Sequence, residues 1–431
     1  MAPRVDRIVA SEWTGEAADV IIIGGGIIGC STALFLAERG ISTVLFEKAE
    51  IACEQSSRNW GWCRTQGRDI REIPLILESM RLWRDLEARL PGATGFTACG
   101  TLNVFSTDRQ IEDGHRWLER ARDYGVDCRM LSSAEISRLV PEHRGRWREA
   151  LYAPSDGRAE PAMAAPAIAA AAMRAGARIH TRTAVEGIDL SGGRVSGVLL
   201  DRGRRIACQQ VVLAGGAWSS AMLRPLGVRL PQLSITESTL RTEAFDGGPA
   251  LSMKGGGFSI RKRRDGGYTV GFGTTMTAEI VADSFRFLPD FFGLMREEWR
   301  SIRLQAGTRT AASFLSPRQF NRPQTDVVLD PAPVRRDLSK AWRNLVETFP
   351  HFRGAKIAEE WAGLIDVTPD AVPVIAPVAA APGLVVSTGY SGHGFGLGLG
   401  AGRLTADLVA NDNPVVDPSP FRLSRFRGNR S

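Results

Sequence analysis

The chain has 431 residues, 43% of them hydrophobic and 23% charged, a balance that describes a globular protein of two or three domains with ample core. No run of about 18 apolar residues occurs, and Met1 to Arg7 lacks the apolar stretch of a signal peptide, so a soluble cytoplasmic protein without an integral membrane segment is expected. The formal charge of +7 is spread along the chain; its densest runs, Arg261–Arg264 and Phe421–Arg427, read as solvated faces, and nucleic-acid binding is not expected.

Six cysteines (Cys30, Cys53, Cys63, Cys99, Cys128, Cys208) contain no Cys-x-x-Cys, which points to a reducing compartment and to neither a metal site nor a disulfide framework. In chain order, residues 19–47 spell a βαβ unit: a buried strand Val20–Ile23, a helix from Ile27 to Arg39 stopped by Gly40, and a strand Thr43–Phe46. Between the first strand and the helix stands Gly24-x-Gly26-x-x-Gly29, with Ile27 and Ile28 opening the helix. Glu47 follows 23 residues after Gly24. Glycines let the backbone approach a pyrophosphate at a helix N-terminus, and an acid near this spacing holds ribose hydroxyls and repels a 2′-phosphate. The segment therefore predicts a dinucleotide other than NADP.

Amphipathic helices are expected at 71–90 and 108–123, and the Ala-rich stretch 161–175 reads as a close-packed helix. Strand-like runs follow at 178–189, 194–201 and 205–213, the last entering Gly215-Gly216-Ala217-Trp218. From 231 to 354 the texture changes. Phe258–Arg263 and Tyr268–Phe272 around Asp265-Gly-Gly267 read as an antiparallel hairpin, with helices near 288–306 and 335–349. A final buried strand, 383–387, leads into Gly389-Tyr390-Ser391-Gly392-His393-Gly394-Phe395-Gly396, with further glycines at 398, 400 and 402 and a helix expected from about Leu399 to Ala410. Such glycine density removes side-chain bulk, as a backbone lying against a flat ligand requires.

In this order the pieces resemble the D-amino-acid oxidase and sarcosine oxidase superfamily of FAD-dependent amine oxidoreductases. They are the dinucleotide fingerprint, Glu47-Lys48, Ser56-Ser57-Arg58-Asn59, Val211–Trp218, Trp361–Asp370 and Gly389–Phe395. The resemblance implies an α/β protein with a discontinuous Rossmann-like FAD domain (1–90, 150–230, 355–431) and an antiparallel-sheet α+β substrate domain (91–149, 231–354). It places Gly24, Gly26, Ile27, Ile28 and Gly29 at the FAD pyrophosphate, Glu47 with Lys48 at the ribose, and Val185 at adenine. Ser56, Ser57 and Arg58 would lie along the pyrophosphate and flavin edge, Gly215 and Trp218 near the cofactor's middle. Gly392, His393, Gly394, Phe395 and Gly396 would cover the pyrimidine ring.

Departures from the family carry expectations too. Gly363 stands about where monomeric sarcosine oxidases attach FAD to cysteine, so noncovalent FAD, or a linkage elsewhere, is expected. Thr269 aligns roughly with their oxygen-activating lysine, so a dehydrogenase with an acceptor such as a quinone or redox protein is favoured over an oxidase using oxygen. Ile365 and Asp366 replace the arginine that clamps a carboxylate in D-amino-acid and glycine oxidases; Arg64 and Arg68 are the candidates to replace it. Trp60 and Trp62 would wall the pocket, Tyr390 would line it, and His393, Tyr390 and Arg64 are the candidates for chemistry. The expected reaction oxidises a C–N bond of an amino acid or N-alkylated amino acid to an imine. The alternatives are a 2-hydroxy-acid dehydrogenase with His393 as base, or a flavin-bearing subunit of a larger complex.

Overall fold

The computed structural model describes residues 3–11, 15–273, 275–298 and 301–429. Strand β1 (Ala17–Ile23), helix α1 (Ile27–Ala37) and strand β2 (Thr43–Phe46) form the expected opening unit. β1 is parallel to β2 on one side and to Arg205–Leu213 on the other, and that strand is in turn parallel to Leu384–Thr388. Alternate residues of β1 enter two cores: Val20 and Ile22 pack below the sheet, Ile21 and Ile23 above it. Burial on both faces explains the unbroken apolar run. The carboxyl ends of these parallel strands open onto one cleft, where α/β sheets bind ligands.

The second sheet has ten strands and is mostly antiparallel. Its spine is Leu233–Thr242, paired along its length with Ile357–Val367 and on its other edge with Tyr268–Gly271. Helix Arg335–Thr348 seals its far face through Leu338, Ala341 and Leu345. Strands Glu149–Ala153 and Ile357–Val367 belong to this sheet, although the expected boundaries assigned residues from 150 and from 355 to the nucleotide half. Strand partnership is non-local, and no composition shift marks these two.

Three further expectations are corrected. The helix near 288–306 ends at Glu298 and is followed by a strand, Ile302–Gln305; residues 299 and 300 lie outside the described ones. Arg261 is not on a solvated face: it is 1% exposed and holds Glu160 with a two-pronged contact of 2.7 and 3.1 Å. The basic tail is anchored likewise, with Phe421, Leu423 and Phe426 buried and Arg425 paired to Asp370 at 3.0 Å.

The glycine-rich helix starts at Gly394, not near 399, and runs to Ala410. A Cβ on Gly402 would lie 2.3 Å from Ser31 Cβ, and one on Gly398 2.8 Å from Ile27, both in α1. Gly400 meets the helix Ile73–Arg89, and Gly396 the backbone of Trp62 and Cys63. These glycines are there for close helix packing rather than for a flat ligand.

Candidate active site

One cleft, about 2630 Å³ with its open mouth, runs from the βαβ unit to the junction with the second sheet. Gly24 has φ +107°, and a Cβ there would lie 2.4 Å from the Ala214 carbonyl oxygen. Only glycine brings β1 so close to its neighbour and leaves bare backbone in the cleft. Gly29 is equally constrained, its virtual Cβ 2.0 Å from the Gly24 carbonyl oxygen. The Glu47 carboxylate accepts the amides of Gly25 (2.7 Å) and Ala49 (2.9 Å), which fix it at the end of β2. Burial pushes its pKa up against those two hydrogen bonds. Each oxygen keeps lone-pair capacity for a further donor.

Ser56 Oγ accepts the Ile27 amide at 2.9 Å. Lys48 bonds Glu54 at 2.7 Å and lies 5.3 Å from the centre of the Trp218 ring, whose indole N–H also reaches Glu54 (3.3 Å). Gly24, Gly26, Ile27, Ile28, Glu47, Lys48, Ser56, Val185, Gly215 and Trp218 all line this end.

At the other end stand Trp60, Trp62, Arg64, Arg68, Tyr390, Gly392, His393, Gly394 and Phe395. Arg68 is 4% exposed, and its Nη1 has no hydrogen-bond partner among the described residues. Arg64 contacts the Gln66 carbonyl and lies 5.9 Å from the Trp62 ring centre. Burial and then the neighbouring Arg68 push Arg64 down to about 9. Two guanidinium groups crowded in a buried cleft make a strong anion site.

His393 Nδ1 lies 3.1 Å from Glu72, a fully buried carboxylate. Burial first, and then Arg68, push the imidazole pKa down, while Glu72 pulls it up. Trp60 seats on Gly271 and Gly273, where any Cβ would collide with its ring, and its N–H donates to Thr239 at 3.2 Å.

Several expected contacts do not face the cleft. Gly29 and Gly396 serve packing, and the Ser57 hydroxyl turns back to the Glu54 carbonyl at 3.3 Å. Arg58 lines the cleft, yet its guanidinium is held by the carbonyls of Ala362 (3.0 Å) and Cys53 and by Asp330. Tyr390 is buried with its hydroxyl 2.8 Å from that of Ser387, so it offers the cleft only the wall of its ring. Thr269 is 2% exposed and bonded by Arg261, away from the cleft; Lys254, like Lys48, lines the cleft.

Residues not singled out in the sequence, together with Asp366, complete the site. Asp156 accepts the Thr65 amide and hydroxyl and the Thr101 hydroxyl at 2.5 to 2.8 Å, fixing the loop between Arg64 and Arg68. Asp366 accepts the Gly389 amide (2.8 Å) and Gln232 (2.7 Å), which sets the entry to the His393 loop. Glu72, Asp156 and Glu237 had no local signal, since only the fold brings them to His393, to Thr65 and into the cleft.

A sequence model of the FAD dependent oxidoreductase family, DAO, matches residues 19–408. The chain belongs to that family. Members and structures similar to it include L-amino acid deaminase from Proteus myxofaciens, in complex with anthranilate, at 30% identity and TM-score 0.92, covering 99% of this chain and 98% of that one. Glycine oxidase of Pseudomonas aeruginosa is 26% identical over 93% of this chain and 97% of its own length. Sarcosine oxidase subunit beta of an Arthrobacter species is 27% identical over 95% and 91%. As a DAO-family member the protein is an FAD-dependent oxidoreductase. The bare Gly24 backbone, the α1 N-terminus and the fixed Glu47 carboxylate fit that cofactor. Among the described residues no helix is long and apolar enough to cross a membrane, and no acidic, Cys and His group is placed to hold a metal ion.

Proposed function

We propose that this DAO-family enzyme oxidises the Cα–N bond of an amino acid to an imine, which water then hydrolyses to an oxo acid and ammonia. The observation that carries this reading is the unpaired Nη1 of buried Arg68, beside Arg64 and within the charge field of His393. The arginines supply the donors a substrate carboxylate needs and so fix its α-carbon. The Nδ1–H of His393 donates to the Glu72 carboxylate and leaves Nε2 as an acceptor for a proton from the substrate ammonium. FAD, when bound, accepts the two electrons with the hydride of the substrate carbon. The similarity to an L-amino acid deaminase over nearly the whole chain supports a primary α-amine as substrate.

FAD is held without a covalent bond in this reading. Gly363 offers no nucleophile, and Cys53, the cysteine lining the cleft, has its thiol pushed up to about 12 by burial, then by the nearby acids.

The test is anaerobic mixing of holoenzyme with D-, L- and N-methyl amino acids and 2-hydroxy acids while flavin absorbance is followed. Bleaching by an α-amino acid is expected; bleaching by hydroxy acids alone overturns the reading. In Arg68→Gln the dissociation constant for the reducing substrate should rise about tenfold to a hundredfold, the scale of a hydrogen bond to a charged group. Admitting air to the reduced enzyme reads the acceptor, since rapid peroxide formation marks an oxidase.

A further inference from the structure

Beyond the carboxylate and amine, the cleft contains a group with no part in the chemistry above. Successive outward residues of strand Leu233–Thr242, namely Ile235, Glu237 and Thr239, all line the cleft, as the two-residue period of a strand dictates. In register, Glu237 faces Gly363 and Ile235 faces Ile365 on the neighbouring strand. Ile235 flanks Glu237 on one side and Thr239 on the other, a Cβ on Gly363 would meet the stem of Arg58 at 3.1 Å, and Met276 and Leu294 add an apolar lining. Four acidic residues line the cleft, and three of them are committed: Glu47 to two amides, Glu54 to Lys48, and Asp366 to Gly389 and Gln232. On Glu237 burial acts first and the Lys254 charge second, with no hydrogen bond contributing, and its pKa is pushed up to about 7. Glu237 is half-buried and accepts no hydrogen bond among the described residues, so beside the Lys254 charge it keeps capacity for a donor from a ligand.

We infer that Glu237 selects the substrate side chain, and that this part of the cleft takes an aliphatic stem ending in a cationic nitrogen. The inference rests on the amino-acid reading for its other anchor, the carboxylate at Arg64 and Arg68. Ile235, Ile365, Met276 and Leu294 clothe the stem, and Glu237 pairs with the terminal charge.

Two paired comparisons test it on the holoenzyme. Perturbation of the flavin spectrum gives the affinities of hexanoate and 6-aminohexanoate, neither of which has an α-amine to oxidise. Anaerobic bleaching then compares norleucine with lysine. A preference of about tenfold or more for 6-aminohexanoate is expected, falling below about threefold in Glu237→Gln, the scale of one charged hydrogen bond. Equal affinities, tighter hexanoate, no binding of either acid, or a preference untouched in Glu237→Gln overturns the inference; the wild-type comparison stands even if the variant fails to fold. A clear preference between the acids with no bleaching by either amino acid removes the oxidation reading and leaves the side-chain assignment. Bleaching by both amino acids without preference does the reverse.

Discussion

His393 sits between opposite charges, and its behaviour should show both. Burial and Arg68 favour the neutral ring, and Glu72 opposes them, with the net shift downward from the usual histidine value. A base must be neutral to accept a proton, so the limiting rate of anaerobic flavin reduction should be flat near neutral pH and fall on the acid side, below the ordinary pKa of about 6.5. Glu72→Gln removes the influence that stabilises the imidazolium, so the folded pKa drops further and the falling limb should move to lower pH. His393→Asn should abolish the limb together with most of the rate. Stopped-flow reduction across pH 5 to about 8, the range in which histidine titrates, measures all three. A limb that moves upward in Glu72→Gln means that Glu72 does not act through the imidazole.

The glycine-rich helix Gly394–Ala410 shows at the scale of one element what sequence reading could and could not see. Gly402→Ala would place a Cβ within 2.3 to 2.8 Å of Ser31 Cβ and the backbone at Ser31 and Thr32, so α1 and this helix must move apart. Overpacking of this kind costs about 1–3 kcal/mol, and a lower Tm with loss of retained FAD is expected. Gly293, inside helix Leu288–Glu298, has nothing within 4 Å of a virtual Cβ. There the same change should stabilise by up to about 1 kcal/mol, through helix propensity alone. Thermal melts of the two variants should shift in opposite directions; equal shifts would contradict the packing account. The density of glycine was visible in the sequence, but its purpose was not, because the atoms a Cβ would strike lie some 370 positions earlier in the chain. The βαβ unit was legible since period, turn and acid are all local. Strand Ile357–Val367, the remote Thr269, and the carboxyls of Asp156 and Glu237 were not, since each is defined by a partner across a sheet.

At the scale of the whole molecule, the cleft is a joint. The loop segment 326–330 docks on the nucleotide half, with the Asp326 amide donating to the Lys48 carbonyl (2.7 Å) and the Leu329 amide to Glu54 (3.0 Å). Glu160 and Arg261 close the opposite side, where burial raises the Glu160 carboxyl but the Arg261 charge and hydrogen bond, with Arg263 and the Arg264 amide, together hold it below its usual range. A ligand lined by residues from both halves stabilises each half and the junction between them. By linkage, free FAD at a hundred times its dissociation constant should contribute about 2.7 kcal/mol to the folded state. Protein stripped of FAD should therefore melt at a lower temperature, with Tm rising steadily as FAD is added back, and denaturation in acid should release the flavin to solution. Calorimetry should show one transition with FAD bound, because the ligand adds to the polar contacts that already join the halves, among them Arg58–Ala362, Trp361–Arg58 and Arg261–Glu160. Two transitions in the holoenzyme would mean that the halves unfold independently even when the cleft is filled. A Tm indifferent to added FAD, with the flavin retained on the denatured chain, would overturn noncovalent binding.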